Sequence, residues 1–166
     1  MILPALVLLP LVKMSCADVY FHRGRLGLSL LLGLGMCILI WSVYGLTSDV
    51  FPKLRSILPV LGWVILFSVT NAFMEEFMLR GLFLRPFENF FSPVMALFLT
   101  TFVFTGMHFG ANYLTSDNLL ILLGYIFLLG FGNGAIMQRS NSIWGAVLSH
   151  SFADSLLLAS IFGTAG

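Results

Sequence analysis

Residues 26–46 read LGLSLLLGLGMCILIWSVYGL, 21 positions without a charged side chain. As a helix this stretch would rise about 31 Å at 1.5 Å per residue, enough to cross a hydrocarbon core of about 30 Å. Three comparable stretches follow, Ser56 to Met74, Asn89 to Met107 and Asn118 to Gln138, and a fifth runs from Ser140 onward, broken only by His150 and Asp154. In lipid the backbone must satisfy its own hydrogen bonds, and nothing here shows the ten-residue alternation of a membrane barrel, so helices are the expected spanning structure. The expected fold is all-α, a polytopic transmembrane bundle of five to six spans.

Composition points the same way. Of 166 residues, 59% are hydrophobic and only 9% charged, with a mean hydropathy of +1.02, whereas soluble domains carry roughly a quarter charged residues. A water-soluble globule is excluded. Eight Lys/Arg against seven Asp/Glu leave a net charge of +1, too small and scattered for a nucleic-acid footprint, so membrane lipids are the expected surroundings and no nucleic-acid partner is expected. Cys16 and Cys37 have neither metal spacing nor a disulfide framework. Met1 to Val12 is apolar but lacks the basic opening of a secretory signal. At about 18 Å as a helix it is a partial span, an interfacial segment or the remnant of a longer chain. Residues 1–55 thus comprise an amino-terminal partial span, a polar connector and the first full span, and residues 56–166 form the core of what is one membrane domain.

Polar connectors separate the spans: Lys13 to Arg25, Thr47 to Arg55, Arg85 to Glu88, Ala111 to Asp117, and Arg139. Lys13, Arg23, Arg25, Arg85 and Arg139 fall on one side of the bundle, and Lys53 and Arg55 on the other. The positive-inside rule makes the first side cytoplasmic. Phe83, Phe87, Phe90 and Phe91, interleaved with Arg85 and Glu88, read as an interfacial aromatic belt. Gly33, Gly35, Gly130, Gly132 and Gly134 would let helices approach closely.

Six polar groups do not belong in hydrocarbon: Glu75, Glu76, Arg80, His108, His150 and Asp154. A charged group at the bilayer centre costs on the order of 2.5–3.5 kcal/mol on insertion scales, so an intramembrane ionisable cluster marks a functional site. Glu76 and Arg80 are four apart with the acid first, the favourable order for an ion pair, and His150 and Asp154 also share one helix face. Glu75 and Glu76 point about 100° apart, which predicts separate partners for them. If Arg80 neutralises Glu76, then Glu75 is left to act as a general base, with imidazoles to share its water and to stabilise an oxyanion. Taken singly, each group also has a structural reading: a register-fixing ion pair, an interhelical histidine, an orienting hydrogen bond. Asn71, Thr100, Thr101 and Asn133 read as helix-to-helix hydrogen-bonding groups. Ser149 and Ser151 flank His150 but point elsewhere. Counting residues to the helix ends puts Glu75 and His108 roughly 7 Å apart in depth, and both are expected to line one hydrated cavity with His150 on its opposite wall.

Three motifs in order, EExxxR (Glu75, Glu76, Arg80), FxxxH (Phe104, His108) and HxxxD (His150, Asp154), resemble those of the CPBP family. That family comprises the CAAX prenyl endopeptidases and the bacterial Abi-like or bacteriocin-processing relatives, polytopic intramembrane proteases. The similarity runs from about Phe67 to the carboxyl end. It implies an endopeptidase acting on a membrane-associated protein tail or precursor peptide, with Glu75 as base, His108 as its partner in activating water, Glu76 and Arg80 in support, and His150 with Asp154 at the oxyanion. Prenyl endopeptidases have Asn where Asp154 stands. Because an ionised Asp repels an oxyanion, Asp154 must be protonated, orient His150 or serve another role. Asp also occurs among the bacterial relatives, which bears on the mechanistic mapping more than on the family. The expected location is a prokaryotic plasma membrane. A metal-free, glutamate-type mechanism is the preferred expectation. Catalytic zinc, with Glu75, His108 and His150 as ligands, is the alternative. No HExxH, GxSG or GxGD motif points to other intramembrane protease types. The rival functions are a non-enzymatic bacteriocin-immunity or partner-binding protein and a small proton-coupled transporter.

Overall fold

The computed structural model describes residues 9, 13–47, 54–55, 57–109 and 119–162. The expected partial span at Met1 to Val12, apart from Leu9, and the connector Ala111 to Asp117 lie outside these residues, as does most of the connector Thr47 to Arg55. Among the described residues there is no strand. The main helices are α1 (Leu26–Thr47), α2 (Leu61–Glu76), α3 (Pro93–Phe109), α4 (Leu119–Ser140) and α5 (Trp144–Phe162). Among the described residues four helical stretches are long and apolar enough to cross a membrane, and α3, at 17 residues and so about 26 Å, sits at the short end of the spanning range.

The second span differs from its expected bounds. No proline or glycine interrupts the chain between α2 and Arg80, and the helix does not stop near Met74. It passes through a π-helical segment, Phe77–Leu84, and a last turn, Arg85–Phe87, giving one helical stretch of 30 residues, Leu58–Phe87. Wide π turns inside α-helices are frequent at functional sites, and this one starts directly after the two glutamates. The connector expected at Arg85 is therefore still helical, and the chain turns at residues 88–92. There Ser92 accepts a hydrogen bond from the Met95 amide at 3.3 Å and opens α3, with Pro93 at its first position.

Residues 13–25 fold over one end of the bundle. Ser15 caps a short 3₁₀ turn, Cys16–Val19, and its amide and hydroxyl donate to Asp18. Those hydrogen bonds hold the Asp18 carboxyl below its usual range, the backbone one foremost. Tyr20, in the left-handed region at φ 59°, is fully buried and donates to Glu88 at 3.1 Å. The Arg25 amide bonds the Ser140 carbonyl and its guanidinium the Arg139 carbonyl. Lys13, Arg23, Arg25, Arg85 and Arg139 are thus carried by segments gathered at one end. Asn141, at φ 51°, turns α4 into α5 with three connecting residues.

α5 packs on α1, α2 and α4. Its approach to α1 is backbone against backbone, since a Cβ on Gly33 would stand 2.5 Å from the Gly145 carbonyl oxygen. Ser29 accepts from the Gly145 amide at 2.8 Å in the same place. Gly130, Gly132 and Gly134 are also close to neighbours, but Gly35 faces open space and brings no helices together. Thr100 and Thr101 differ from expectation too. They donate to the Ala96 and Leu97 carbonyls of their own helix, the usual way a hydroxyl is satisfied in an apolar helix.

Candidate active site

The six polar groups come from three places: Glu75, Glu76 and Arg80 on α2 and its π continuation, His108 on the last turn of α3, and His150 with Asp154 on α5. His150 stands at the centre. Its Nδ1 lies 2.7 Å from Glu76 Oε1, and its Nε2 lies 3.7 Å from Glu75 Oε2 and 3.6 Å from Asp154 Oδ1. Separate partners for the two glutamates were the expectation from helix geometry, and the structure corrects it. The imidazole offers two nitrogens on different edges, so one ring meets each carboxylate with its own atom.

Beneath this ring lies a fully buried polar layer. Glu76 pairs with Arg80 at 3.5 Å, both side chains without exposed surface. Glu76 Oε1 also accepts from the Asn133 side-chain amide at 3.1 Å, and Asn133 Oδ1 accepts from Ser149 at 2.6 Å. Ser149 is thereby committed away from His150. Arg80 donates to the Gly130 carbonyl at 2.9 Å and lies over the Phe104 ring, 4.2 Å from its centroid. The same ring packs on His108 at 4.5 Å and edge-on to His150 at 5.6 Å, so Phe104 is the apolar platform under both imidazoles.

Glu75 is the less compensated acid. Its Oε1 accepts from Asn71 at 3.2 Å, and the same amide donates to Asp154 at 3.1 Å, tying the two carboxyl groups together. Its Oε2 is buried without a hydrogen-bond partner and faces His108 Nε2 at 3.8 Å and His150 Nε2 at 3.7 Å. His108 Nδ1 lies 2.8 Å from the Phe104 carbonyl, which only accepts, so that nitrogen is the donor there and Nε2 is the one turned toward Glu75. Asn71 and Asn133 were legible only as generic amides. The one sequence signal for Asn71 was its place a single turn before Glu75.

A cavity of about 590 Å³ runs between α2 and α5, and Asn71, Glu75 and Asp154 form its polar end. His108 and His150 do not line it, contrary to the expected arrangement. His150 is 2% exposed, pinned between Glu76 and Phe104, and stands behind Glu75 and Asp154. Zinc would need its ligand atoms about 2.0–2.1 Å from the ion. Among the described residues no three His, Cys, Asp or Glu side chains close on a common point in that way.

A family model described as Rce1-like, type II CAAX prenyl endopeptidase Rce1-like, matches residues 57–156, the region that holds every group above. No curated protein and no solved structure matches the chain.

Proposed function

The chain belongs to the Rce1-like type II CAAX prenyl endopeptidase family, which makes it an integral-membrane protease, and we propose that it hydrolyses a peptide bond in a membrane-associated protein tail or precursor peptide with a water activated by Glu75 and His108. The observation that carries this reading is Glu75 Oε2, buried, without a hydrogen-bond partner and facing two imidazole nitrogens. A water donating to both Glu75 Oε2 and His108 Nε2 would stand about 2.8 Å from each. Glu75 takes the proton as the water oxygen bonds to the substrate carbonyl carbon. The same proton passes to the leaving amine as the C–N bond breaks.

His150 is the group that answers the negative oxygen. With Nδ1–H held by Glu76, a second proton on Nε2 gives a donor flanked by Glu75 and Asp154, and that donor is what an oxyanion needs. Asp154 then orients His150, with one oxygen beside Nε2 and the other accepting from Asn71. Glu76, Arg80 and Phe104 act through His150 and His108 and are positioning residues.

The test is cleavage of candidate peptides by purified protein in lipid nanodiscs. Glu75→Gln and His108→Ala are each expected to lose at least a hundredfold in kcat. Full activity in both would overturn the chemistry. Activity abolished by a chelator and restored by zinc would replace the metal-free mechanism.

A further inference from the structure

Two faces of α1 are treated differently. Toward α5 it seats backbone on backbone at Gly33 and Gly145. Toward α4 it leaves a furrow of about 240 Å³, walled by Leu32, Met36 and Leu39 on one side and by Gly132 and Ile136 on the other, each set recurring at helical spacing. Gly35 keeps it open, since a Cβ at that position would meet nothing within 4 Å. Along α1 the furrow runs from Leu32 to Leu39, about 10 Å. Its end near Leu32 is charged. Arg139, exposed and next to last in α4, lines it there, where an arginine stem can lie along hydrocarbon while its guanidinium reaches the polar boundary. The Arg25 guanidinium bonds the Arg139 carbonyl, so a second cation is anchored beside the first. The acids of this end are already committed, Glu88 to Tyr20, Gln138 and Arg85, and Asp18 to Ser15. Among the described residues neither Arg25 nor Arg139 is paired with a carboxylate.

We propose that this furrow binds one phospholipid with an anionic headgroup, its phosphate on Arg139 and Arg25 and one acyl chain between α1 and α4. Charge selects the headgroup. A guanidinium presents paired N–H groups that match phosphate oxygens, and a basic pocket between spanning helices is the usual seat of an acidic lipid head. A zwitterionic head would bring its own ammonium toward two arginines that no carboxylate offsets. Shape selects the chain. The furrow is apolar beyond Arg139, and its volume over that length leaves width for one hydrocarbon chain but not for a helix, which is about 10–12 Å across. Bound there, the chain takes the space of the side chain that Gly35 lacks and holds α1 against α4. Nothing in this assignment depends on the hydrolytic reaction.

The experiment is native mass spectrometry of the full chain in detergent micelles, with dioleoyl phosphatidylglycerol or dioleoyl phosphatidylcholine added at equal concentration. The parent is expected to retain one phosphatidylglycerol with a preference of about tenfold or more over phosphatidylcholine. Equal retention of the two lipids overturns the proposal, and that comparison needs no variant. Arg139→Gln is expected to cut the preference about fivefold. Gly35→Leu, which fills the furrow, is expected to lose the bound lipid, whereas Gly124→Leu, on the same α4 but in open space away from the furrow, keeps it. An unchanged preference in Arg139→Gln overturns the headgroup seat. Full retention in Gly35→Leu, or equal loss in Gly124→Leu, overturns the chain seat. Free glycerol 3-phosphate at the lipid's concentration is expected to displace nothing; if it competes as well as the lipid, the site is one for soluble phosphate and the proposed occupant is wrong. Each variant is also unfolded by SDS titration, where phosphatidylglycerol is expected to raise the midpoint of the parent and of Gly124→Leu but not that of Gly35→Leu. The same rise in all three overturns the assignment.

Discussion

Arg80→Met is the most informative single perturbation of the buried layer. Arg80 is without exposed surface, 3.5 Å from an equally buried Glu76, and its guanidinium also serves the Gly130 carbonyl and the Phe104 face. Methionine keeps much of the stem volume and removes the charge, leaving the Glu76 carboxylate with Asn133 and His150 on Oε1 and nothing on Oε2. Removing one partner of a buried pair costs about 3–5 kcal/mol, because the survivor is an uncompensated charge. The Glu76→Gln/Arg80→Met double variant removes both charges and is expected to regain at least about 1 kcal/mol of that loss. The assay is unfolding by SDS titration in mixed micelles, run as a double-mutant cycle with Glu76→Gln. If Arg80→Met unfolds within about 1 kcal/mol of the parent, or if the two single effects simply add, the buried ion pair does not exist as described.

Gly130→Ala would put a methyl 2.7 Å from the Phe104 ring and 2.8 Å from Arg80 Nη2, so a loss of about 1–3 kcal/mol in the same titration is expected, whereas Gly124→Ala, with open space around it, stays within about 1 kcal/mol of the parent. Asn71→Leu unties Glu75 from Asp154 and is expected to lower kcat tenfold or more with KM changed less than threefold; a pure KM effect in the cleavage assay would make Asn71 a substrate contact instead. Tyr20 is buried beside Glu88, and burial first, then the acid's charge, pushes its phenol well above the ordinary value of about 10. The stabilisation this brings is whole below pH 10 and is lost as pH rises through the raised value. The difference absorbance at 295 nm between the parent and Tyr20→Phe is therefore expected to stay flat at pH 10, where a free tyrosine is half ionised.

The spans were legible because hydrocarbon demands a single composition, and the 21 uncharged residues from Leu26 leave no other reading. The polar groups were legible as a set for the complementary reason, since nothing in lipid explains Glu75, His108 or His150. What escaped was how they meet. A sequence assigns Glu75 and Glu76 directions but not the ring between them, and His150 serves both by using two nitrogens. The π segment escaped because no residue from Phe77 to Arg80 is a helix breaker, so nothing in the local sequence marks it. Thr100 and Thr101 look identical in sequence to interhelical donors, and only the neighbouring surfaces turn them back on their own helix. The cavity's wall was misread for a similar reason: Phe104 and Glu76 hold the imidazoles behind Glu75, and neither contact has a local signature.

The seat of α1 on α5 has a reach beyond packing. Gly145 touches Gly33 and Ser29 with its backbone, and His150 follows five residues later, about 7.5 Å along the same rod. A helix that contributes no acid and no imidazole thereby sets where the central imidazole stands. A hydrophobic molecule wedged between these two helices from the surrounding lipid would act as a remote inhibitor, silencing the enzyme without ever occupying the cavity at Glu75.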